Sequence, residues 1–439
     1  MSNTEQAIYE EVKEAEIELS KKYSVPKELS VHKQGDVYLV IYTEGISWIV
    51  LESEEELQAF QMLQKGQSIE STLKQVDADA VINVITQIEA KNFEHPVRNE
   101  NKEKNIYIYL TNNCNEHCRH CYMVAGDIKF RELSSEQWIK ILDDFKENGG
   151  NGVTFTGGEV TVYKGFEKIL EHAHNIGLEV TVLSNGILWN KKLIESLSKC
   201  IDEIQISIDG YNKESYYKVR QYDGFDKAIQ CVKDFYDSGT KVSIAVTPLF
   251  DDLEKFVTEF EPFAQKLIEN YPEIFIKLNL ELIQGREVKI TPEENKQYKK
   301  TLRDMVERLY PEFYTETFVL NYENHVLRRN CGFGEISISA DGQVYWCNRI
   351  HELKSSQNVF EHSFKEIFAE SEKIIQNTSV DNTSGCKNCD IRYICGGGCR
   401  MEYDGIRNAA NHEGEWQYVC EDKDIIYDKM IKSNEFFFE

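Results

Sequence analysis

Ten of the twelve cysteines in this 439-residue chain fall into groups that could hold metal. The tightest group is Cys114, Cys118 and Cys121, spaced C-x3-C-x2-C in residues 111–122 (TNNCNEHCRHCY). Soft thiolates converging from one loop suit a metal ion or an iron–sulfur cluster. Three local thiolates leave one position on a four-coordinate iron for another ligand. A zinc knuckle is the competing reading of so short a run. The other seven are Cys331, Cys347, Cys386, Cys389, Cys395, Cys399 and Cys420, and four of them read C-x2-C-x5-C-x3-C. A zinc ribbon would use only part of this set. Cys200 and Cys231 stand apart and read as small buried residues.

Other candidates lie singly between these groups. Gly157-Gly158-Glu159 offers glycines that let a backbone approach a ligand closely, and a carboxylate that can pair with an ammonium. Ser184-Asn185-Gly186 is a polar turn. In the run QISID, Ser207 and Asp209 are two apart and share one side of a strand. Arg220 has the planar fork that grips a carboxylate. Gly285-Arg286 follows a further apolar run. Asp209 and Glu281, at strand ends, are the candidate general acid or base.

The elements that must position these groups are a repeating β/α series. Apolar, β-favouring runs at 106–110, 152–156, 178–184, 203–208, 241–247 and 276–283 alternate with helical patterns. Ser134 and Gln137 form a capping-box pattern at the first helix. Six such units predict an α/β fold, a partial (β/α)6 TIM-like barrel, with chemistry at the C-terminal strand ends. Cys114, Cys118 and Cys121 and the single candidates above lie at or beyond the C-terminal ends of these runs. Near the other cysteines, ISISADGQVYWC reads as a hairpin turning at Asp341-Gly342.

C-x3-C-x-aromatic-C after the first strand resembles the signature of radical S-adenosylmethionine enzymes. The resemblance implies a 4Fe–4S cluster on Cys114, Cys118 and Cys121, with S-adenosyl-L-methionine on the fourth position and reductive cleavage to a 5′-deoxyadenosyl radical. It implies His120 near the adenine, Gly157, Gly158 and Glu159 at the methionine amino group, and Ser184 and Asn185 at the ribose or carboxylate. Ser207 would face the cofactor and Arg220 would hold the methionine carboxylate. The last cysteines are similar to the SPASM extension, which implies two auxiliary 4Fe–4S clusters, hence three clusters in all. Cys331, Cys347 and Cys399 would ligate the first; Cys386, Cys389, Cys395 and Cys420 the second. Some relatives carry a further cysteine before the one matching Cys331, and residues 320–330 (LNYENHVLRRN) lack it. The first auxiliary cluster would then keep an open iron, or take His325 as fourth ligand.

Residues 4–22 show helical periodicity. Three strand runs (28–33, 37–42, 46–51) and three helical runs (54–63, 68–75, 78–91) follow, a small winged-helix-like module. DNA binding fits poorly, because the third helix has no basic face. The module resembles the RiPP recognition element, which implies a precursor's leader pairing with the edge of residues 46–51 and packing on 78–91. The expected domains are 1–98 (leader binding), 99–320 (radical core) and 321–439 (SPASM). Fifty Lys and Arg against 75 Asp and Glu give a net charge of −25, unsuited to general nucleic-acid or anionic-membrane binding. An acidic N-terminus without a signal pattern predicts a cytoplasmic protein.

The expected function is that of a radical S-adenosylmethionine maturase of a ribosomally made peptide, drawing electrons from a donor such as flavodoxin or ferredoxin. The missing cysteine favours a thioether cross-link, of the sactipeptide or ranthipeptide type. Alternatives are carbon–carbon cyclisation, a sulfatase-maturase-like protein oxidase and a non-catalytic iron–sulfur regulator.

Overall fold

The computed structural model of the chain describes residues 18–96, 103–126, 131–311, 326–349, 354–398 and 423–434. Of the helix expected over 4–22, residues 4–17 lie outside this set. Residues 18–22 are not helical, and Lys22 instead bridges to Ser68.

Two uninterrupted apolar runs, VYLVIY and WIVL, explain the first sheet. Strands β1 (Leu29–Gln34), β2 (Val37–Tyr42) and β3 (Trp48–Leu51) form an antiparallel meander in that order. Strand side chains alternate between faces, so a run without polar residues has both faces to bury. Val40, Tyr42, Ile49 and Leu51 pack on the helices α1 (Glu54–Gln64), α2 (Ile69–Leu73) and α3 (Ala78–Ala90). Leu39, Ile41, Trp48 and Val50 pack instead on residues of the C-terminal segment, among them Val380, Ile391, Tyr393, Tyr427 and Met430. Ser53 caps α1 by accepting from Glu56 N–H at 3.1 Å, and Asp77 caps α3 at Asp79 N–H, 2.9 Å.

β3 is the edge of this sheet, as expected, but its outer main chain is not bare. Gln87 of α3 and Glu56 of α1 hydrogen-bond to Val50 and Glu52 there. A buried edge must satisfy its amides, and here side chains do so.

The expected β/α series is present. β4 (Asn105–Tyr109), β5 (Gly152–Thr156), β6 (Glu179–Ser184), β7 (Glu203–Ser207), β8 (Lys241–Val246) and β9 (Phe275–Leu278) are parallel and adjacent in chain order. Helices α4 (Ser135–Glu147), α5 (Phe166–Asn175), α6 (Lys191–Leu197), α7 (Lys213–Arg220), α8 (Phe225–Asp237) and α9 (Leu253–Asn270) connect them. The Ser134–Gln137 capping box is formed. Ile108, Phe155, Val182, Ile206, Ile244 and Ile276, one from each strand, are buried in a single core with Cys200 and Cys231. β9 stops at Leu278, short of the run expected to reach 283, and Glu281 and Gly285 lie on the loop beyond it.

The hairpin joins this sheet. β10 (Ile336–Ile338) pairs parallel with β4, and β11 (Gln343–Tyr345) and β12 (Lys354–Asn358) follow antiparallel. The nine strands run β12-β11-β10-β4-β5-β6-β7-β8-β9, continuous across the boundary expected near residue 320. Gly342 closes the turn at φ +85°, where a side chain would also strike Phe360.

Candidate active site

The cysteine loop leaves the C-terminal end of β4 and is held by its neighbours' backbones. Gly158 N–H donates to Thr111 C=O (2.7 Å) and Glu159 N–H to Asn113 C=O (3.0 Å). A Cβ on Gly158 would lie 2.1 Å from Asn113 O, and one on Gly157 2.5 Å from Thr111 O. The observed close approach at these glycines is therefore to the cysteine loop. On the other side Arg286 N–H donates to Cys121 C=O (3.0 Å) and Glu287 N–H to Arg119 C=O (2.8 Å). A side chain at Gly285 would meet His120 O at 2.5 Å. The loop is thus clamped between the β5 and β9 ends.

Two of the loop thiols accept backbone hydrogen bonds, while Cys118 Sγ donates to Glu116 Oε2 at 3.7 Å. Cys114 Sγ receives Glu116 N–H at 3.4 Å, and Cys121 Sγ receives Ala125 N–H at 3.5 Å. Burial pushes the Cys114 thiol up to about 12 and holds Cys118 well above its ordinary value, partly offset by Arg220. Thiolates here need a cationic centre to stabilise them, as ligation supplies.

Arg220, the last residue of α7, gathers the buried charge. Its Nη1 donates to Glu116 Oε2 (2.6 Å) and its Nε to Asp209 Oδ2 (2.8 Å). Tyr216 Oη donates to Glu116 Oε1 (2.9 Å), and His120 Nε2 pairs with Asp209 Oδ2 (2.9 Å). Thr247 N–H donates to the other Asp209 oxygen at 2.6 Å. Burial raises the Asp209 carboxyl, but Arg220 and His120 outweigh it and hold it at about 2. Asp209 is thus an ionised, fully engaged group. Glu281 is ion-paired with Arg349 at 3.0 Å.

Glu159 is buried, and burial raises its carboxyl. It accepts from Ser184 Oγ (2.8 Å), Asn185 N–H (2.7 Å) and Thr161 Oγ1 (2.6 Å). Asn185 Nδ2 reaches Asn115 Oδ1 at 2.8 Å, inside the cysteine loop. Ser207 is half-buried at the end of β7. The structure therefore brings Glu159, Ser184 and Asn185 together beside the thiols, with His120, Asp209 and Arg220 in a second connected group.

Of the C-terminal candidates, Cys399, Cys420 and His325 lie outside the described residues. Cys331 Sγ receives Phe333 N–H and Cys347 Sγ receives Arg349 N–H, each at 3.4 Å. This repeats the donor two residues on seen at Cys114. Cys386 and Cys389 share a turn through Cys389 N–H to Cys386 C=O (2.8 Å), and Cys395 ends the short helix Arg392–Cys395. Tyr109 and Tyr122 both donate to Asn348 C=O, tying β4 and the cysteine loop to the residue after Cys347.

The all-cysteine donor set of the loop, with its N–H···S hydrogen bonds, suits an iron–sulfur cluster. Such hydrogen bonds tune a cluster's potential.

Glu116, Tyr109, Tyr122 and Arg349 were not singled out in the sequence. Glu116 and Tyr122 sit within the cysteine run, and that adjacency was the available signal. Arg349 and Tyr109 carried none.

Residues 108–258 match the radical SAM superfamily and residues 330–390 match SPASM, the iron–sulfur cluster-binding domain. The chain thus carries a radical SAM domain, which holds the thiol loop and strands β5 to β8, and a SPASM iron–sulfur cluster-binding domain. Among its relatives are two proteins of Bacillus subtilis. The sporulation killing factor maturation protein SkfB is 34% identical over 141 residues, 32% of this chain and 34% of that protein. The antilisterial bacteriocin subtilosin biosynthesis protein AlbA is 29% identical over 265 residues, 59% of this chain and 58% of that protein. The chain thus matches about a third and under three fifths of these relatives' lengths. The fold is similar to Streptococcus suis SuiB bound to the precursor peptide SuiA: TM-score 0.50, 16% identity, 91% of this chain and 99% of that one.

Proposed function

We propose that this chain is a cytosolic radical S-adenosylmethionine maturase that forms a thioether from a cysteine thiolate to a carbon of another residue in a ribosomally made peptide. The observation that carries it is the clamped Cys114–Cys118–Cys121 loop, with hydrogen-bonded sulfurs beside the Glu159–Ser184–Asn185 group. A bound cluster and S-adenosyl-L-methionine would supply one-electron chemistry, producing a carbon radical able to take hydrogen from a C–H bond. The thiols at 114, 118 and 121 would hold the cluster and leave one iron corner for the cofactor's amino acid part. Glu159, oriented by Ser184, Asn185 and Thr161, has the charge to receive an ammonium. Arg220 pairs with the buried carboxylates of Glu116 and Asp209 and so compensates both beside the cysteine loop. Cys331, Cys347 and Cys399, with Cys386, Cys389, Cys395 and Cys420, would hold two auxiliary clusters, three in all, fed by a flavodoxin or ferredoxin. Relatives named for bacteriocin biosynthesis and for maturation support a peptide substrate, and the SuiB complex supports a precursor as partner. Its leader would pair with residues 46–51 and pack on 78–91.

The test is co-expression with the cysteine-bearing precursor and mass spectrometry. A thioether removes two hydrogens and leaves the cysteine resistant to alkylation. Loss of two hydrogens with an alkylatable thiol would instead establish carbon–carbon cyclisation, and an unchanged mass would remove the maturase reading.

A further inference from the structure

A peptide strand adding to the first sheet would meet the chain's own side chains. Ser47 C=O turns inward to accept Tyr42 N–H at 2.9 Å, so by strand alternation Trp48, Val50 and Glu52 direct their main chain outward. At Val50 the N–H donates to Gln87 Oε1 at 2.9 Å, and Gln87 Nε2 donates back to Val50 C=O. One primary amide thus reproduces the two-bond pairing that a residue of a neighbouring antiparallel strand makes. At Glu52 the N–H donates to Glu56 Oε2 at 2.8 Å, and Asn83 Nδ2 holds the other Glu56 oxygen at 3.1 Å. Asn83, Gln87 and Lys91 are spaced by four residues and line one stripe of α3 and its C-cap. Lys91 completes the row with its ammonium 5.4 Å over the Trp48 ring. Gln87 is 6% exposed and Glu56 5%. Buried amides are tolerated only when paired, and Gln87 pairs both its donor and its acceptor with Val50.

We infer that Gln87 is a built-in strand surrogate that closes the β3 edge in the free protein, and that an incoming extended peptide displaces it at Val50. This rests on the reading above that a precursor's leader pairs with β3. The peptide carbonyl takes over from Gln87 Oε1 and a peptide N–H from Gln87 Nε2, so the hydrogen bonds of Val50 are conserved through the exchange. Discrimination then falls to the side chains flanking that point. In the free protein the same amide protects an edge strand that would otherwise pair with other chains.

The test compares the full chain with Gln87→Met, which keeps length and helix propensity but removes both hydrogen bonds. The probe is a fluorescent synthetic copy of the N-terminal part of the precursor used in the co-expression test. Anisotropy gives its affinity, and hydrogen exchange by NMR follows Val50 N–H. Removing a competing pair of neutral hydrogen bonds is expected to tighten binding about five- to tenfold. Val50 N–H should exchange fast in free Gln87→Met and slowly in both complexes. Equal or weaker binding by the variant, with Val50 protected in its complex, would overturn the surrogate and leave strand pairing standing. Binding that leaves Val50 N–H of the variant unprotected, or no binding by either protein, would remove the pairing itself. If Gln87→Met does not fold, Gln87→Ala makes the same comparison.

Discussion

Arg220 is the side chain on which the buried charge at the strand ends converges, and it has two carboxylate partners. Replacing Asp209 by Asn removes one and leaves the guanidinium half compensated, at a cost of about 2 kcal/mol or more. The pH dependence has a defined sign. A carboxyl held at about 2 when folded, against about 3.9 unfolded, contributes stability fully present above the unfolded value and lost as pH falls through about 2. The stability gap between the native chain and Asp209→Asn should therefore be flat from about pH 5 to 8 and close only in strong acid, as thermal unfolding across pH would report. For the thiols, Cys114→Ala, Cys118→Ala or Cys121→Ala should abolish 5′-deoxyadenosine formation. On the proposed three-cluster reading, each should also lower bound iron by about four of about twelve atoms per chain, read by metal analysis.

At the scale of elements, the glycine turn after β5 acts through packing. Gly158→Ala would drive a Cβ against a backbone carbonyl that cannot rotate away. The expected result is a loss of about 2 kcal/mol and of iron at the cysteine loop, with the auxiliary sites still loaded. Iron content together with thermal unfolding checks this. Much of this level was legible. The β/α alternation, the Ser134–Gln137 box and the Asp341-Gly342 turn all depend on residues a few positions apart. The direction of the Gly157-Gly158 approach was not, because glycine spacing permits a close contact without naming what makes it.

For the whole molecule, the first sheet and the C-terminal segment share one apolar cluster. Trp48 is buried there, and its Nε1 donates to Met430 C=O at 3.0 Å. Trp48→Ala should cost about 3–5 kcal/mol and destabilise the C-terminal segment along with the first sheet, seen as one shifted transition in calorimetry. Removing residues 1–98 would bare Val380, Ile391, Tyr393 and Met430. The shortened chain should associate on size exclusion, so leader binding is better tested by point substitution.

By itself the sequence determined which runs are strands, where the thiol loop falls and that its donor set suits a metal ion or an iron–sulfur cluster, because periodicity and spacing are local properties of a chain. Only the tertiary structure decided what those elements meet. It paired Arg220 with Glu116, 104 positions away, set β10 beside β4, turned the second face of β2 and β3 against the C-terminal segment, and laid Gln87 along the β3 edge. Each is a contact between distant residues whose energy depends on which buried faces come together, and no local pattern carries that.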